Sequence, residues 1–131
     1  MAIRNLNKIL NPELSYKIYG ACFGAHNKFG QFRSEKSYAD ALEQKFIEDN
    51  IKYVREVALK PSFDGENKNR NIPDFVVEDL IILDVKAKRI ITKEDYYQMK
   101  RYLEAADKEL GLIVNFRQKY LSPKRVLCKK A

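Results

Sequence analysis

The first half of the chain contains two stretches in which apolar residues recur at helical spacing. The first lies between Asn11-Pro12-Glu13, where Asn can cap a helix and Pro tolerates its first turn, and Gly30, which fits a helix stop. The second runs from about Ser34 to Asp49. Its apolar stripe consists of Tyr38, Ala41, Leu42 and Phe46. The pattern therefore predicts two helices before any strand.

Shorter apolar runs with strand character come next. The stretch "KYVREVALK" (52–60) alternates as a partly exposed strand does, and the polar, Gly-containing stretch 61–71 predicts a loop. Two further runs, Ile72 to Val77 and Leu80 to Val85, flank the dipeptide Glu78-Asp79. We interpret them as two strands of a hairpin joined by a tight turn.

The remaining pattern adds one helix and two strands. Thr92 can cap a third helix, "LGLIVNF" (110–116) is typical of a buried strand, and "RVLC" (125–128) of a short edge strand. The third helix has Tyr96, Met99, Leu103 and Ala106 at its core positions. The order α-α-β-β-β-α-β-β predicts an α/β fold with a mixed central sheet flanked by helices. A chain of 131 residues suits a single domain.

Composition narrows the class of protein. With 45% hydrophobic and 33% charged residues, the chain is typical of a soluble globular protein. No apolar run approaches the roughly 20 residues that span a bilayer, and the first ten residues lack a signal-peptide core, so we expect a cytoplasmic protein without a membrane partner. Cys22 and Cys128 have no metal-binding spacing, and we expect two reduced thiols. The net charge of +7 favours a polyanionic partner such as nucleic acid.

Charged residues interrupt the predicted hairpin. Asp84 and Lys86 are two residues apart and project from one face of their strand, while Val85 points to the other. A turn at Glu78-Asp79 brings Asp74 within about one register step of Asp84. Two carboxylates and an ammonium group are therefore predicted to converge.

Such a cluster suits a hard divalent cation. Two close carboxylates repel each other unless a cation lies between them, and Mg²⁺ usually takes one or two carboxylates, waters and substrate phosphate. The ion would polarise a phosphodiester, and Lys86 would orient water or neutralise the phosphate. The alternative is structural: Asp74 marks a strand start after Pro73, and Asp84 and Lys86 form a same-face ion pair.

The same residues carry a family resemblance. Pro73-Asp74 followed by Asp84-Val85-Lys86 resembles the PD-(D/E)XK signature of the restriction-endonuclease-like nuclease superfamily. Gln98 and Tyr102, four residues apart on one helix face, resemble the QxxxY element of its RecB-type branch. From about Leu14 to Phe116 the chain resembles the small bacterial GxxExxR proteins. The segments that match in order are "LSYKIYGACFGAHNKFG", "SEKSYADAL", "REVAL", "DVKA", "QMKRYL" and "LGLIVNF".

The resemblance implies a restriction-endonuclease-like core and a set of site residues. Asp74 and Asp84 would be metal ligands, with the Val85 carbonyl as a further ligand, and Lys86 the catalytic lysine. Glu35 and Gln98 would be accessory catalytic residues. For Glu35 the alternative is a favourable charge at a helix N-terminus, and for Gln98 a surface position.

The chain also departs from the GxxExxR pattern. Phe32 stands where that family has its glycine, and Tyr38 where it has its arginine, so that only Glu35 of the three remains. The residues of the nuclease triad are all present.

Other residues suggest contacts with nucleic acid. Lys88 and Arg89 follow the motif strand and could either bind phosphates or form a solvated strand end. Tyr102 could contact nucleic acid or be a packing residue with a polar tip. Arg117 and Lys119 begin a basic C-terminal segment (117–131) without acidic residues, which is either part of a nucleic-acid footprint or a flexible charged end. His26, the single histidine, is interpreted as a structural residue near a helix end.

The sequence therefore supports three hypotheses. The leading one is a nuclease that uses Mg²⁺, or Mn²⁺ in its place, and acts on DNA in preference to RNA. The second is a non-catalytic nucleic-acid-binding or protein-interaction module on a nuclease scaffold. The third is a structural subunit whose basic surface faces an acidic partner. A homodimer would let a nuclease with one site per chain cut both strands.

Overall fold

The computed structural model of the protein describes residues 11–61, 63–67 and 70–128. The predictions for three parts of the chain lie outside the described residues: the first ten residues, Ser62, Lys68 and Asn69 of the predicted loop, and residues 129–131 of the basic C-terminal segment.

Helices and strands follow one another in the predicted order α-α-β-β-β-α-β-β. The three helices are α1 (Pro12–Phe29), α2 (Glu35–Glu48) and α3 (Lys93–Ala106). The five strands are β1 (Tyr53–Arg55), β2 (Phe75–Val77), β3 (Ile81–Lys86), β4 (Leu110–Asn115) and β5 (Lys124–Leu127). Part of the basic C-terminal segment thus forms the predicted edge strand.

The strands form one mixed sheet in the order β1-β2-β3-β4-β5. All neighbours are antiparallel except β3 and β4, which are parallel and are joined by α3 as a crossover. Because β3 and β4 run in the same direction, their carboxyl ends meet at one edge of the sheet, where Lys86 is the register partner of Asn115.

The β2-β3 hairpin turns at the predicted dipeptide. Glu78 and Asp79 both have positive φ angles, 52° and 56°, as the tight hairpin turns that match strand twist require. The register pairs Phe75 with Leu83, and one further step places Asp74 opposite Asp84. The hairpin geometry that the sequence predicted is therefore confirmed, although β2 begins three residues later than predicted and β3 is shifted by one.

Helices cover both faces of the sheet and bury two apolar clusters. On one face α1 and α2 pack against side chains of the sheet that include Phe75, Leu83 and Phe116. On the other face Met99 and Leu103 of α3 pack against Val76, Ile82, Ile113 and Val126. Gly111 lets α3 approach, because a Cβ at this position would lie 2.7 Å from Met99 Cγ. The mixed sheet flanked by helices is confirmed.

Two local predictions were wrong. Asn11 adopts a left-handed conformation and makes no side-chain cap, so α1 begins at Pro12 without the expected Asn cap. The predicted strand 52–60 ends after Arg55, because Glu56 has a φ of 54° and reverses the side-chain direction. Tyr53 consequently packs on the α1-α2 cluster, whereas Val57 and Leu59 pack on the α3 cluster.

In the parts of the chain that the structure describes, every helix is too short or too polar to cross a membrane.

Candidate active site at the carboxyl end of β3

Asp84 and Lys86 lie on the face of β3 that α3 covers. Alternation along the strand puts them on the same side as Ile82, which packs against α3. Lys86 Nζ is 3.0 Å from Asp84 Oδ2, and both side chains are largely shielded from solvent. The predicted convergence of this carboxylate and ammonium is thus present.

Asp74 completes a carboxylate pair from the neighbouring strand. The Val85 N–H donates a hydrogen bond of 2.6 Å to Asp74 Oδ2. Burial, followed by the charge of Asp84, raises the pKa of Asp74 to about 7, and the Val85 hydrogen bond only partly offsets this rise. A side-chain hydrogen bond with Asp84 is a further cause of the raised pKa of Asp74. Near neutral pH Asp74 is therefore only partly ionised, and a bound cation would stabilise its charged form.

Lys86 is held by three side chains. Its Nζ donates to Gln98 Oε1 at 2.9 Å and lies 3.8 Å from Asp95 Oδ1, in addition to its contact with Asp84. Burial alone would lower the pKa of Lys86, but the neighbouring charges, first of all that of Asp84, raise it above its usual value. Lys86 is consequently a fixed cation, and Gln98 contacts this lysine directly.

Asp95 is a site residue that the sequence reasoning missed. Its Oδ2 accepts the backbone N–H of Thr92 at 2.7 Å and the Nζ of Lys88 at 2.9 Å. Although burial opposes it, these hydrogen bonds hold the pKa of Asp95 below its usual range. The spacing Thr-x-x-Asp of a capping box was the signal that could have identified it. Asp95 therefore fixes the start of α3 and interacts with both Lys86 and Lys88.

Tyr102 lies one helical turn beyond Gln98 and is buried. Its hydroxyl donates to the Ile72 carbonyl at 3.4 Å. Burial, together with the charges of Asp84 and Asp74, raises the pKa of this phenol. Tyr102 thus stays protonated and connects α3 to the segment that leads into β2.

Glu35 reaches the site from the other helical layer. It is in the first turn of α2, which Ser34 caps by accepting the Ser37 N–H, and its Oε2 accepts the Ala87 N–H at 3.2 Å. Its charge acts on Asp74 and Lys86. Both interpretations of Glu35, helix-terminus charge and site neighbour, therefore have a structural basis.

The four basic residues assigned to nucleic-acid contacts differ in their surroundings. Lys88 is paired with Asp95, whereas Arg89 is exposed. The Arg117 guanidinium lies 5.7 Å from the centre of the Phe32 ring, and Lys119 Nζ lies 5.5 Å from that of Tyr120.

Asn115 is a second residue that was missed. Its buried amide oxygen accepts the backbone N–H groups of Lys88 at 3.1 Å and Arg117 at 3.2 Å, and its Nδ2 donates to the Lys88 carbonyl at 2.7 Å. A polar residue at the end of an apolar strand was the available signal. Asn115 joins the segments that follow β3 and β4.

His26 has a local structural contact. Its Nε2 lies 2.7 Å from the Gln118 carbonyl oxygen, so this nitrogen carries the donated proton. The histidine thus ties the end of α1 to the segment after β4.

The donor set fits a magnesium-type ion. Among residues 11–61, 63–67 and 70–128, no three Asp, Glu, His or Cys side chains form a ready-made metal cluster. Two carboxylates with waters are nonetheless a sufficient protein contribution for Mg²⁺. Burial and the charge of Asp84 raise the pKa of Asp74 even though Lys86 lies beside Asp84, and a cation between the two carboxyl groups would lower it again. Asp74 and Asp84 are therefore the residues that would hold such an ion.

Comparison with known proteins places the chain in a family. No curated protein and no solved structure matches it. The family model of the PD-(D/E)XK nuclease superfamily matches residues 12–126, which include every element from α1 to β4 and most of β5. This match covers most of the chain, and the chain belongs to the PD-(D/E)XK nuclease superfamily.

Proposed function

We propose that this protein is a divalent-metal-dependent nuclease that hydrolyses phosphodiester bonds in DNA. The observation that carries the proposal is the pairing of Asp74 with Asp84, two carboxylate residues that stand opposite each other in the β2-β3 register, with the ammonium of Lys86 3.0 Å from Asp84. Membership of a nuclease superfamily supports it independently.

Each site residue has a proposed role. Asp74 and Asp84 hold Mg²⁺ or Mn²⁺, with the Val85 carbonyl as a further ligand, and the ion, when bound, supplies charge stabilisation to the scissile phosphate. Lys86 orients the attacking water and neutralises negative charge at the phosphate. Gln98 keeps the Lys86 ammonium in position through its 2.9 Å hydrogen bond.

The residues around this centre bind and position the substrate. Glu35 fixes the chain after β3 through the Ala87 N–H, and Tyr102 positions α3 against the entry to β2. Arg89, Arg117 and Lys119 contact phosphates, and Lys88 adds positive charge beside them. The net charge of +7 suits a polyanion of either kind, and the resemblance of the motif to the restriction-endonuclease-like signature favours DNA over RNA as the substrate.

We further propose that the chain is a divergent GxxExxR protein with a cytoplasmic location. The ordered segments shared with that family support the first assignment, despite Phe32 and Tyr38 at two name-giving positions. The free thiols of Cys22 and Cys128 agree with a reducing compartment.

A cleavage assay tests the proposed function. Wild type should cut a labelled oligonucleotide with Mg²⁺ or Mn²⁺ and be inactive in EDTA. Asp84→Asn should lower the rate at least about 100-fold, since the interactions of the metal with the phosphate are worth several kcal/mol. Asp64→Asn, which changes an exposed loop carboxylate, is the matched control and should retain the wild-type rate.

Two outcomes would contradict the proposal. Equal cleavage by wild type and Asp84→Asn would indicate a contaminant or another site. Binding of DNA without cleavage in any metal would instead favour the non-catalytic module.

A further inference from the structure

Phe32 and Tyr120 are aromatic side chains that the fold leaves open to solvent. Phe32 is 80% exposed in the loop between α1 and α2, and Tyr120 is 79% exposed in the loop between β4 and β5. Large rings are on average among the more buried side chains, and here two adjoining loops each hold one that is about four-fifths exposed. Exposed rings of this kind suit a flat aromatic ligand.

Each ring is accompanied by a cation. The Arg117 guanidinium is 5.7 Å from the Phe32 ring centre, and Lys119 Nζ is 5.5 Å from that of Tyr120. A ring next to a positive charge matches the two parts of a nucleotide, since the base stacks on the ring and the phosphate meets the cation. From Leu110 to the last residue the sequence contains no Asp or Glu, so no acid in that segment weakens the attraction.

The two loops are fixed to each other. Gln31 Nε2 donates to the Arg117 carbonyl, and Arg117 Nε donates to the Gln31 carbonyl, both at 2.9 Å. Below them Tyr38 stacks on Phe116 with ring centres 4.3 Å apart and hydrogen bonds to the Gly30 carbonyl. The backbone that carries the rings is therefore ordered before binding, which lowers the entropy cost of binding.

Direct contacts connect these loops to the candidate active site. Asn115 accepts the N–H groups of both Lys88 and Arg117, and it is the register partner of Lys86. Three residues after Phe32, Glu35 hydrogen bonds to the backbone of Ala87. The exposed rings thus lie at the same edge of the sheet as the carboxylate pair.

We propose that Phe32, Arg117, Lys119 and Tyr120, here called the stacking platform, bind unpaired bases of single-stranded DNA next to the candidate active site. Bases in a duplex are stacked on one another and present only their edges, whereas unpaired bases offer their faces to aromatic rings. The inference rests on the proposed function in taking DNA as the substrate, and it specifies the unpaired form of that substrate.

Fluorescence anisotropy in EDTA tests the stacking platform without cleavage. The probes are a labelled single-stranded oligonucleotide and its blunt duplex at one salt concentration, because affinity for nucleic acid depends on salt. Phe32→Leu/Tyr120→Leu should weaken single-strand binding about tenfold or more, and duplex binding should stay within about twofold, as expected when base stacking is removed. Phe32→Trp should retain single-strand affinity. Tyr16→Leu removes an equally exposed (79%) tyrosine from α1 and should change neither affinity.

The outcomes separate this inference from the proposed function. Unchanged single-strand affinity in the double Leu variant, or an equal loss for single strand and duplex, would overturn the stacking platform. Tighter binding of a matched RNA strand would overturn its assignment to DNA. Metal-dependent cleavage of the single strand at the same rate by wild type and the double Leu variant would contradict the stacking platform but not the proposed function. Ring-dependent binding without cleavage in any metal would contradict only the proposed function.

Discussion

In the candidate site, the surroundings of Asp74 disfavour the charged form of its carboxyl group. Its carboxyl group is half-buried and close to the charge of Asp84, so the ionised form is disfavoured, and the hydrogen bond from the Val85 N–H recovers only part of the lost solvation. In the sequence, the signal of this site was that Asp74, Asp84 and Lys86 interrupt runs of apolar residues with strand character.

The raised pKa of Asp74 predicts how stability depends on pH in the metal-free protein. The native state keeps the Asp74 proton up to about pH 7, whereas the unfolded chain releases it near the ordinary value of 3.8. Between these values the native state binds more protons, so this group makes the free energy of unfolding fall as pH rises, by at most about 1.4 kcal/mol per pH unit. Above the native pKa its contribution becomes constant.

Urea unfolding of wild type and Asp74→Asn in EDTA, at several pH values between 4 and 8, measures this contribution. The difference between the two proteins should change with pH, with Asp74→Asn relatively more stable at the alkaline end. Asp64→Asn should follow wild type at every pH because Asp64 is exposed. Parallel curves for wild type and Asp74→Asn would show that Asp74 has no raised pKa.

Helices and turns were predicted well where the apolar residues of the sequence follow a clear period. The predicted bounds of α2 differ from the observed ones by one residue at each end, since Ser34 and Asp49 are its caps. The Glu78-Asp79 turn was also predicted, because two apolar runs flank a polar pair. The prediction that Asp74 and Asp84 lie opposite each other followed from the position of this turn.

Tertiary contacts determined what periodicity could not predict. The segment from Tyr53 to Leu59 keeps an alternating burial pattern, but the left-handed Glu56 ends β1 and sends the residues before and after it to opposite faces of the sheet. The capping box with Thr92 was a local signal of Asp95, but its pairing with Lys88, seven residues away, and that of Asn115 with Lys88, 27 residues away, arise from the tertiary fold.

The packing of α3 on β4 makes a testable prediction about two glycines. Gly111→Ala places a methyl group against Met99 and should lower the free energy of unfolding by about 1 to 3 kcal/mol, the usual cost of overpacking. Gly24→Ala adds a methyl group to an open position within α1 and should raise it by about 0.5 to 1 kcal/mol.

Chemical unfolding of both variants measures these changes. A double variant, Gly111→Ala/Met99→Ala, should be less destabilised than the sum of the two single variants, because the smaller side chain makes room for the added methyl group. Equal effects of the two Gly→Ala changes, or strict additivity in the double variant, would show that Met99 does not require a glycine at position 111.

At the scale of the whole molecule, the sheet brings distant segments to one edge. The hairpin supplies Asp74, Asp84 and Lys86, while α3 supplies Gln98 from one side and α2 supplies Glu35 from the other. The loops of the stacking platform meet the same edge because β4 runs parallel to β3. The candidate active site and the proposed stacking platform therefore lie at the same edge of the sheet.

Calorimetric titration with Mn²⁺ tests the central claim, that Asp74 and Asp84 together capture a divalent cation. The titration is made at about pH 8, above the raised pKa of Asp74, so that the Asp74 carboxyl group is mostly ionised. Wild type and Asp64→Asn should each show saturable heat for a site on every chain, and Asp84→Asn should lose it. Identical heats in wild type and Asp84→Asn, or no heat in wild type, would contradict the account.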